Sequence, residues 1–264
     1  MIGPIVTHLA FAMVQTQPDR APSFTQLAPL PSSATAMQAT ADAIAVFPPT
    51  PAFAQHTALP GEVHLRLVDL DDGGWDKLSG FLSVDEELRV SRYPTVARGT
   101  AYQRARAALR LVLAYYARKP PRSLVFDYKT TGKPYLRGYP LHFSVGRSEH
   151  LALIAVAPAA VGVDLEWIGQ ARVSFGEQLL QTMTDNERRR LDAMTISERH
   201  RALCQLWTDR EARRKAAGAP AGAHQASDQM LVEGGKPLTL QPLHCIPHFA
   251  ASLCAAGAGQ VRWY

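Results

Sequence analysis

The sequence predicts an α+β fold of one or two globular domains, and three observations carry that expectation. Short apolar or alternating runs recur at 62–68, 141–145, 151–156 and 161–167, as strands require. A stretch at 100–118 repeats its apolar residues at three and four, as an amphipathic helix requires, and a second helical stretch ends at Gly218. Finally, 264 residues with 47% hydrophobic and 19% charged side chains can bury a sizeable core.

Composition also excludes some classes. The longest apolar run, Leu151 to Val163, covers about 13 residues and is broken by Pro158, short of the ~20 that a spanning helix needs, so no membrane association is expected. Three cysteines, Cys204, Cys245 and Cys254, make neither a disulfide framework nor a paired metal knuckle, and a reducing cytoplasm is the expected location. Residues 1–60 hold nine of the 19 prolines, one Arg, two Asp and no Lys, and they are expected to form a flexible or weakly ordered extension. Their first 14 residues lack a basic start and contain Pro4 and His8, unlike an export signal, and an over-extended start site would explain them equally. The remainder carries 27 basic against 21 acidic residues, a balance that favours anionic ligands or partners.

From Glu62 onward the elements follow in order. Val63, Leu65 and Leu67 alternate with His64, Arg66 and Val68 to give a first strand, closed by the turn Asp71-Asp72-Gly73-Gly74. Ser83 followed three residues later by Glu86 is a capping box that opens a short helix running toward Tyr93 and stopped by Pro94. In the helix at Thr100–Arg118, Ala101, Ala105, Ala108, Leu109, Val112, Leu113 and Tyr116 share the apolar face, leaving Arg98, Arg104, Arg106 and Arg110 elsewhere. Arg106 and Arg110 stand one turn apart, able to grip one phosphate, although a solvated basic face explains them as well. Gly132-Lys133-Pro134 is a turn presenting one lysine. Strands at 141–145 and 151–156 are joined by Gly146-Arg147-Ser148-Glu149-His150, where Arg147 and Ser148 either bind an anion or merely form a hairpin loop.

The stretch Val161-Gly162-Val163-Asp164-Leu165-Glu166-Trp167 places two carboxylates on one face of an apolar strand. Solvation at an exposed edge would explain such a pair, and so would a hard divalent cation. Ser174–Thr182 reads as a helix, and Thr184 with Glu187 caps the next one. In the last helix Trp207, Glu211 and Lys215 fall at i, i+4 and i+8 on one stripe. An ordinary Glu–Lys pair, worth about 0.2–0.5 kcal/mol, accounts for that stripe on helix physics alone.

The order of these pieces is more specific than any of them. GKPYL, LHFSVGRS, VGVDLEW and LWTDREARRKAAG occur in the succession and at the spacing of the Sfp-type 4′-phosphopantetheinyl transferase superfamily, which the chain resembles over about residues 61–264. The resemblance implies a pseudo-two-fold pair of α/β lobes, 61–160 and 161–264, with the ligand site at their interface. It implies an enzyme of the holo-[acyl-carrier-protein] synthase type, moving the 4′-phosphopantetheine arm of coenzyme A to a serine of an apo acyl or peptidyl carrier protein and releasing 3′,5′-ADP. By that resemblance Asp164, Glu166 and Glu211 hold Mg²⁺, Glu211 and Lys215 are catalytic, and Arg106, Arg110, Lys133, Arg147 and Ser148 contact coenzyme A. The chain is expected to act as a monomer and to bind no nucleic acid. It departs from the family pattern at Ser144 for Asn, Gly146-Arg147 for Ser-His, and Arg210 for Lys. Those departures keep two alternatives open, an inactive relative that only docks carrier proteins and a basic nucleic-acid-binding module built on Arg188–Arg190 and Arg210–Lys215.

Overall fold

The computed structural model describes residues 62–169, 179, 181–221, 237–257 and 260–263. The expected N-terminal extension and most of the expected helix at Ser174–Thr182 lie outside the described residues. Strand β1 (Glu62–Asp69) is followed by a 3-10 turn at Gly73–Phe81, helix α1 (Val84–Val90) and helix α2 (Val96–Ala117). The capping box forms as expected, with Ser83 N–H donating to Glu86 Oε2 at 2.9 Å and Glu86 N–H donating to Ser83 Oγ. Helix α2 starts four residues before the expected Thr100, because Thr95 caps it by accepting from Arg98 N–H. That cap precedes the apolar repeat, which is why periodicity alone places the start late.

A short hairpin of β2 (Phe126–Tyr128) and β3 (Pro134–Leu136) turns at Gly132, whose φ of 85° suits a residue without Cβ. Then come β4 (His142–Ser148), β5 (Leu151–Ala157) and β6 (Val161–Trp167), helices α3 (Asp185–Asp192) and α4 (Ile196–Ala217), and strands β7 (Leu238–Pro242), β8 (Phe249–Ala256) and β9 (Gln260–Trp263). Thr184–Glu187 and Thr195–Glu198 cap α3 and α4, and Gly218 at φ 67° ends α4.

One boundary differs from the sequence reading. Gly146, Arg147 and Ser148 belong to β4, in register with Leu153, Ala152 and Leu151, so the loop shrinks to Glu149-His150 with Glu149 at φ 48°. Because strand side chains alternate, Arg147 is exposed and Ser148 buried, and the two cannot bind one anion together.

Among the described residues the strands form a sheet ordered β4-β5-β1-β9, a sheet ordered β6-β8-β7, and the β2-β3 hairpin. The two larger sheets share an apolar layer in which Val63, Leu65, Leu153 and Ala155 meet Val161, Val163, Leu165 and Leu253. On the far side of the first sheet α2 packs Ala105, Leu109 and Leu113 over Val68, Ile154 and Val156. On the far side of the second, α4 sets Ala212 and Ala216 against Cys254. The first strand buries Val63 and Leu65 as expected, but Leu67 is exposed and Val68 buried, and on the expected polar face His64 is buried as well, its Nδ1 meeting Tyr116 Oη at 2.5 Å. The result is a mixed α/β architecture in four layers, helix, sheet, sheet and helix. Strand β9 comes from the end of the chain and runs parallel to β1.

Candidate functional site

Glycine at 162 decides where the site lies. A Cβ there would stand 2.0 Å from Ala212 O and 2.4 Å from Ala216 N, so the backbone of α4 rests directly on β6 and only glycine allows that approach. Gly162, Asp164 and Glu166 share one strand face, and the crossing carries the last turns of α4 over them. Lys215 consequently reaches Asp164, its Nζ donating to Asp164 Oδ1 at 2.7 Å, to Val145 O at 3.1 Å and to Val163 O at 3.1 Å. Asp164 is buried, and burial pushes its carboxyl above the ordinary range against the pull of Lys215. Its second oxygen, Oδ2, is buried with no hydrogen-bond partner.

A second close approach brings β4 to the other edge of β6. A Cβ on Gly146 would lie 2.8 Å from Asp164 Cα, so the serine usual in the resembling family has no room here. On either side of this glycine, and on the same face, two serine hydroxyls serve β6: Val163 N–H donates to Ser144 Oγ at 3.0 Å and Trp167 N–H to Ser148 Oγ at 3.1 Å. Ser148 Oγ in turn donates to Glu166 Oε2 at 2.8 Å. Ser148 therefore orients a carboxylate from a buried position.

Glu211 faces along its own helix. Arg214 donates Nε to Glu211 Oε1 at 2.9 Å and Nη2 to Oε2 at 2.7 Å, a two-point fork. Arg214 stands out in the sequence only as a basic residue three positions after the glutamate, and its role was not legible there. Arg210 turns the other way and is buried against Glu187 and Thr182, tying α4 to α3.

The remaining sequence-predicted residues serve other contacts. Arg106 and Arg110 do grip one anion together, but it is Glu86 of the same chain. Arg110 is 1% exposed and its Nη1 donates to Pro121 O at 2.7 Å and Leu124 O at 3.1 Å, which leaves it as an internal strut. The two arginines hold Glu86 below the ordinary carboxylate range despite burial. Lys133 closes the C-terminal end of α4, donating to Val161 O, Lys215 O and Ala216 O. Burial, with Lys129 and Arg214 nearby, pushes its ammonium down to about 8. Arg147 projects toward Tyr102, 5.9 Å from the ring centroid, and Arg89 stands 5.9 Å from the same ring. Tyr102 lines a cavity of about 670 Å³ with Arg89, Arg92, Tyr93 and Tyr128. Sequence spacing did not single out Arg89, Arg92 or Tyr102, because what joins them is the meeting of α1 and α2.

Three carboxylates on facing elements and an unpartnered Asp164 Oδ2 supply the hard oxygen donors that a divalent cation takes. The donor chemistry fits, yet among the described residues no group of three such side chains is assembled for a metal as it stands. Glu211 is committed to Arg214 instead.

The centre thus joins a β-strand aspartate, a helical glutamate and a lysine held between two sheets. Residues 160–243 match the model of the 4′-phosphopantetheinyl transferase superfamily. The chain is 31% identical over 170 residues to the 4′-phosphopantetheinyl transferase HetI of Nostoc sp., covering 61% of this chain and 71% of the relative. It is 29% identical over 177 residues to the L-aminoadipate-semialdehyde dehydrogenase-phosphopantetheinyl transferase of Eremothecium gossypii, covering 62% and 63%. It is 23% identical over 150 residues to the 4′-phosphopantetheinyl transferase gsp of Aneurinibacillus migulanus, covering 57% and 62%. The matches to these last two span under two thirds of their length. The chain belongs to the 4′-phosphopantetheinyl transferase superfamily.

Proposed function

We propose that the protein transfers the 4′-phosphopantetheine arm of coenzyme A to a serine of an apo acyl or peptidyl carrier protein, as a Mg²⁺-dependent holo-[acyl-carrier-protein] synthase type of enzyme working as a monomer in the cytoplasm. The observation that carries the reading is the crossing at Gly162, which sets Glu211 and Lys215 of α4 over Asp164 and Glu166 of β6. The four-layer arrangement supports two α/β lobes, 61–160 and 161–264, with β9 crossing back to the first sheet, and the ligand sits where they meet.

In this reading Asp164, Glu166 and Glu211 hold Mg²⁺, which when bound neutralises the pyrophosphate of coenzyme A and favours in-line displacement. The carrier serine oxygen forms a bond to the β-phosphorus as the bond from that phosphorus to the bridging oxygen breaks, and 3′,5′-ADP leaves. The hydroxyl proton passes to the Glu211 carboxylate. Lys215 keeps its ammonium in the seam between β4 and β6, beside the departing oxygen. The outer phosphate of coenzyme A lies toward the Tyr102 cavity, lined by Arg89 and Arg92, with Arg147 against the same tyrosine ring and Arg106 held on Glu86. Arg110 and Lys133 contribute through the scaffold, one under Glu86 and the other under the end of α4.

Incubation with coenzyme A, Mg²⁺ and a panel of apo carrier proteins, read as a phosphopantetheine mass shift, tests the proposal. A shift on at least one carrier is expected. Coenzyme A binding without transfer to any carrier would instead favour a relative that only docks them.

A further inference from the structure

Each cation at the site has chosen a carboxylate. Lys215 makes a single contact with Asp164 and leaves Oδ2 without a partner. Arg214 differs, because its fork covers both oxygens of Glu211 at 2.9 and 2.7 Å in a pair whose side chains are only 15% and 12% exposed. Its remaining contact, Nη1 to Ala219 O at 3.1 Å, holds the guanidinium at the end of α4. Both oxygens are thus presented to a fixed positive charge along the helix. The three carboxylates are correspondingly not assembled as a metal group among the described residues.

We propose that Arg214 is the internal counter-cation of Glu211, which a divalent cation must displace, so that this arginine sets how much divalent cation the protein requires. The inference rests on the reading of Asp164, Glu166 and Glu211 as metal ligands. A bidentate guanidinium–carboxylate pair uses the planar fork that gives arginine its strongest contacts. A dication approaching Glu211 meets repulsion from a guanidinium within a few ångströms, in a setting where charges are poorly screened. It also breaks two charge-assisted hydrogen bonds unless the carboxylate turns. Arg214 is itself partly exposed and also donates to the Ala219 carbonyl, so the Glu211 carboxylate is not the sole group that holds it. The opposite role, an arginine that orients a ligand and so strengthens metal binding, would use the lone pair that each Glu211 oxygen keeps outside the fork, and it predicts the opposite change in metal affinity when the arginine is removed.

The test is a Mn²⁺ titration of the full chain, with free Mn²⁺ followed by electron paramagnetic resonance, with and without saturating coenzyme A. Wild type, Arg214→Leu, Arg214→Lys and Glu211→Gln are compared. Arg214→Leu is expected to bind Mn²⁺ about tenfold more tightly than wild type, and Arg214→Lys, which keeps the charge and loses the fork, to fall between them. Misfolding would appear as fewer sites per molecule and leaves the dissociation constant of the folded fraction readable. Equal affinity in wild type and Arg214→Leu overturns the inference while leaving the metal reading intact, and weaker binding by Arg214→Leu overturns it in favour of an orienting role. Absence of Mn²⁺ binding by every protein, with coenzyme A present, overturns the metal reading and this inference with it.

Discussion

Replacing Gly162 with alanine tests the close crossing on which the site depends. The added carbon would sit 2.0 Å from Ala212 O, and ordinary contact begins at 3.4 Å, so the α4 backbone must retreat by about 1.4 Å. Both clashing atoms are backbone, and no side-chain rotation relieves them. Overpacking of this kind costs ~1–3 kcal/mol, partly offset by the ~0.5–1 kcal/mol that alanine regains in a strand interior, for a net loss of about 1 kcal/mol. Retreat of α4 also lengthens the 2.7 Å contact between Lys215 and Asp164, and a misplacement of ~1 Å can cost ~100-fold in rate. Urea denaturation gives the stability change, and transfer to an apo carrier, measured well below the unfolding midpoint, gives the rate. An alanine variant as stable as wild type would refute the crossing, and one that is destabilised but fully active would refute its role in setting the site.

Three other outcomes are expected. Asp164→Asn and Glu211→Gln should each lower transfer by ~100-fold or more while remaining folded by circular dichroism, and near wild-type rates in either would sink the assignment of the carboxylates. Arg147→Ala should weaken coenzyme A binding by ~1.5–3 kcal/mol, the range for hydrogen bonds to charged groups, and unchanged calorimetric affinity would place Arg147 outside the phosphate site. Lys133, pushed from 10.5 down to about 8, binds fewer protons folded than unfolded between those values, so its penalty is complete below pH 8 and fades as pH rises. Wild type should therefore gain stability over Lys133→Met by up to ~1 kcal/mol from pH 8 to 9, and a flat difference would show that burial does not depress this lysine.

Helix signals were the most legible part of the sequence, because they are local. The boxes Ser83–Glu86 and Thr184–Glu187 and the stop at Gly218 need only neighbours in the chain. The common face of Asp164 and Glu166 follows from strand alternation, and that of Glu211 and Lys215 from helical spacing. Partners across the fold were not legible. Periodicity put Arg106 and Arg110 on one face of α2 but could not say that Glu86, folded back from α1, would occupy them. Nor could it place Arg147 and Ser148 on opposite faces, since the end of β4 depends on its pairing with β5, and a Gly-Arg-Ser sequence resembles a loop by composition. Gly146 looked like a loss against the family pattern. The backbone of β6 passing 2.8 Å from where its Cβ would lie makes it a requirement.

That requirement explains why an ammonium can be held between two sheets at all. One edge of β6 pairs with β8, while the other meets β4 through the hydroxyls of Ser144 and Ser148. Because serines take the β6 N–H groups, the Val145 and Val163 carbonyls remain available, and both accept from Lys215. The two serines should then separate by experiment. Ser144→Ala strands the buried Val163 N–H and should cost ~1–3 kcal/mol of stability, with coenzyme A and Mn²⁺ binding retained by the folded protein. Ser148→Ala strands the Trp167 N–H at a similar cost and also frees Glu166 from its hydroxyl donor, so divalent-cation binding should weaken as well, since groups that orient metal ligands are typically worth ~10-fold or more in affinity. Denaturation of both variants and Mn²⁺ titration of each give the comparison. Equal Mn²⁺ affinities in the two would show that Ser148 supports only the strand, and a loss of less than ~0.5 kcal/mol in Ser144→Ala would show that the seam does not depend on its serines.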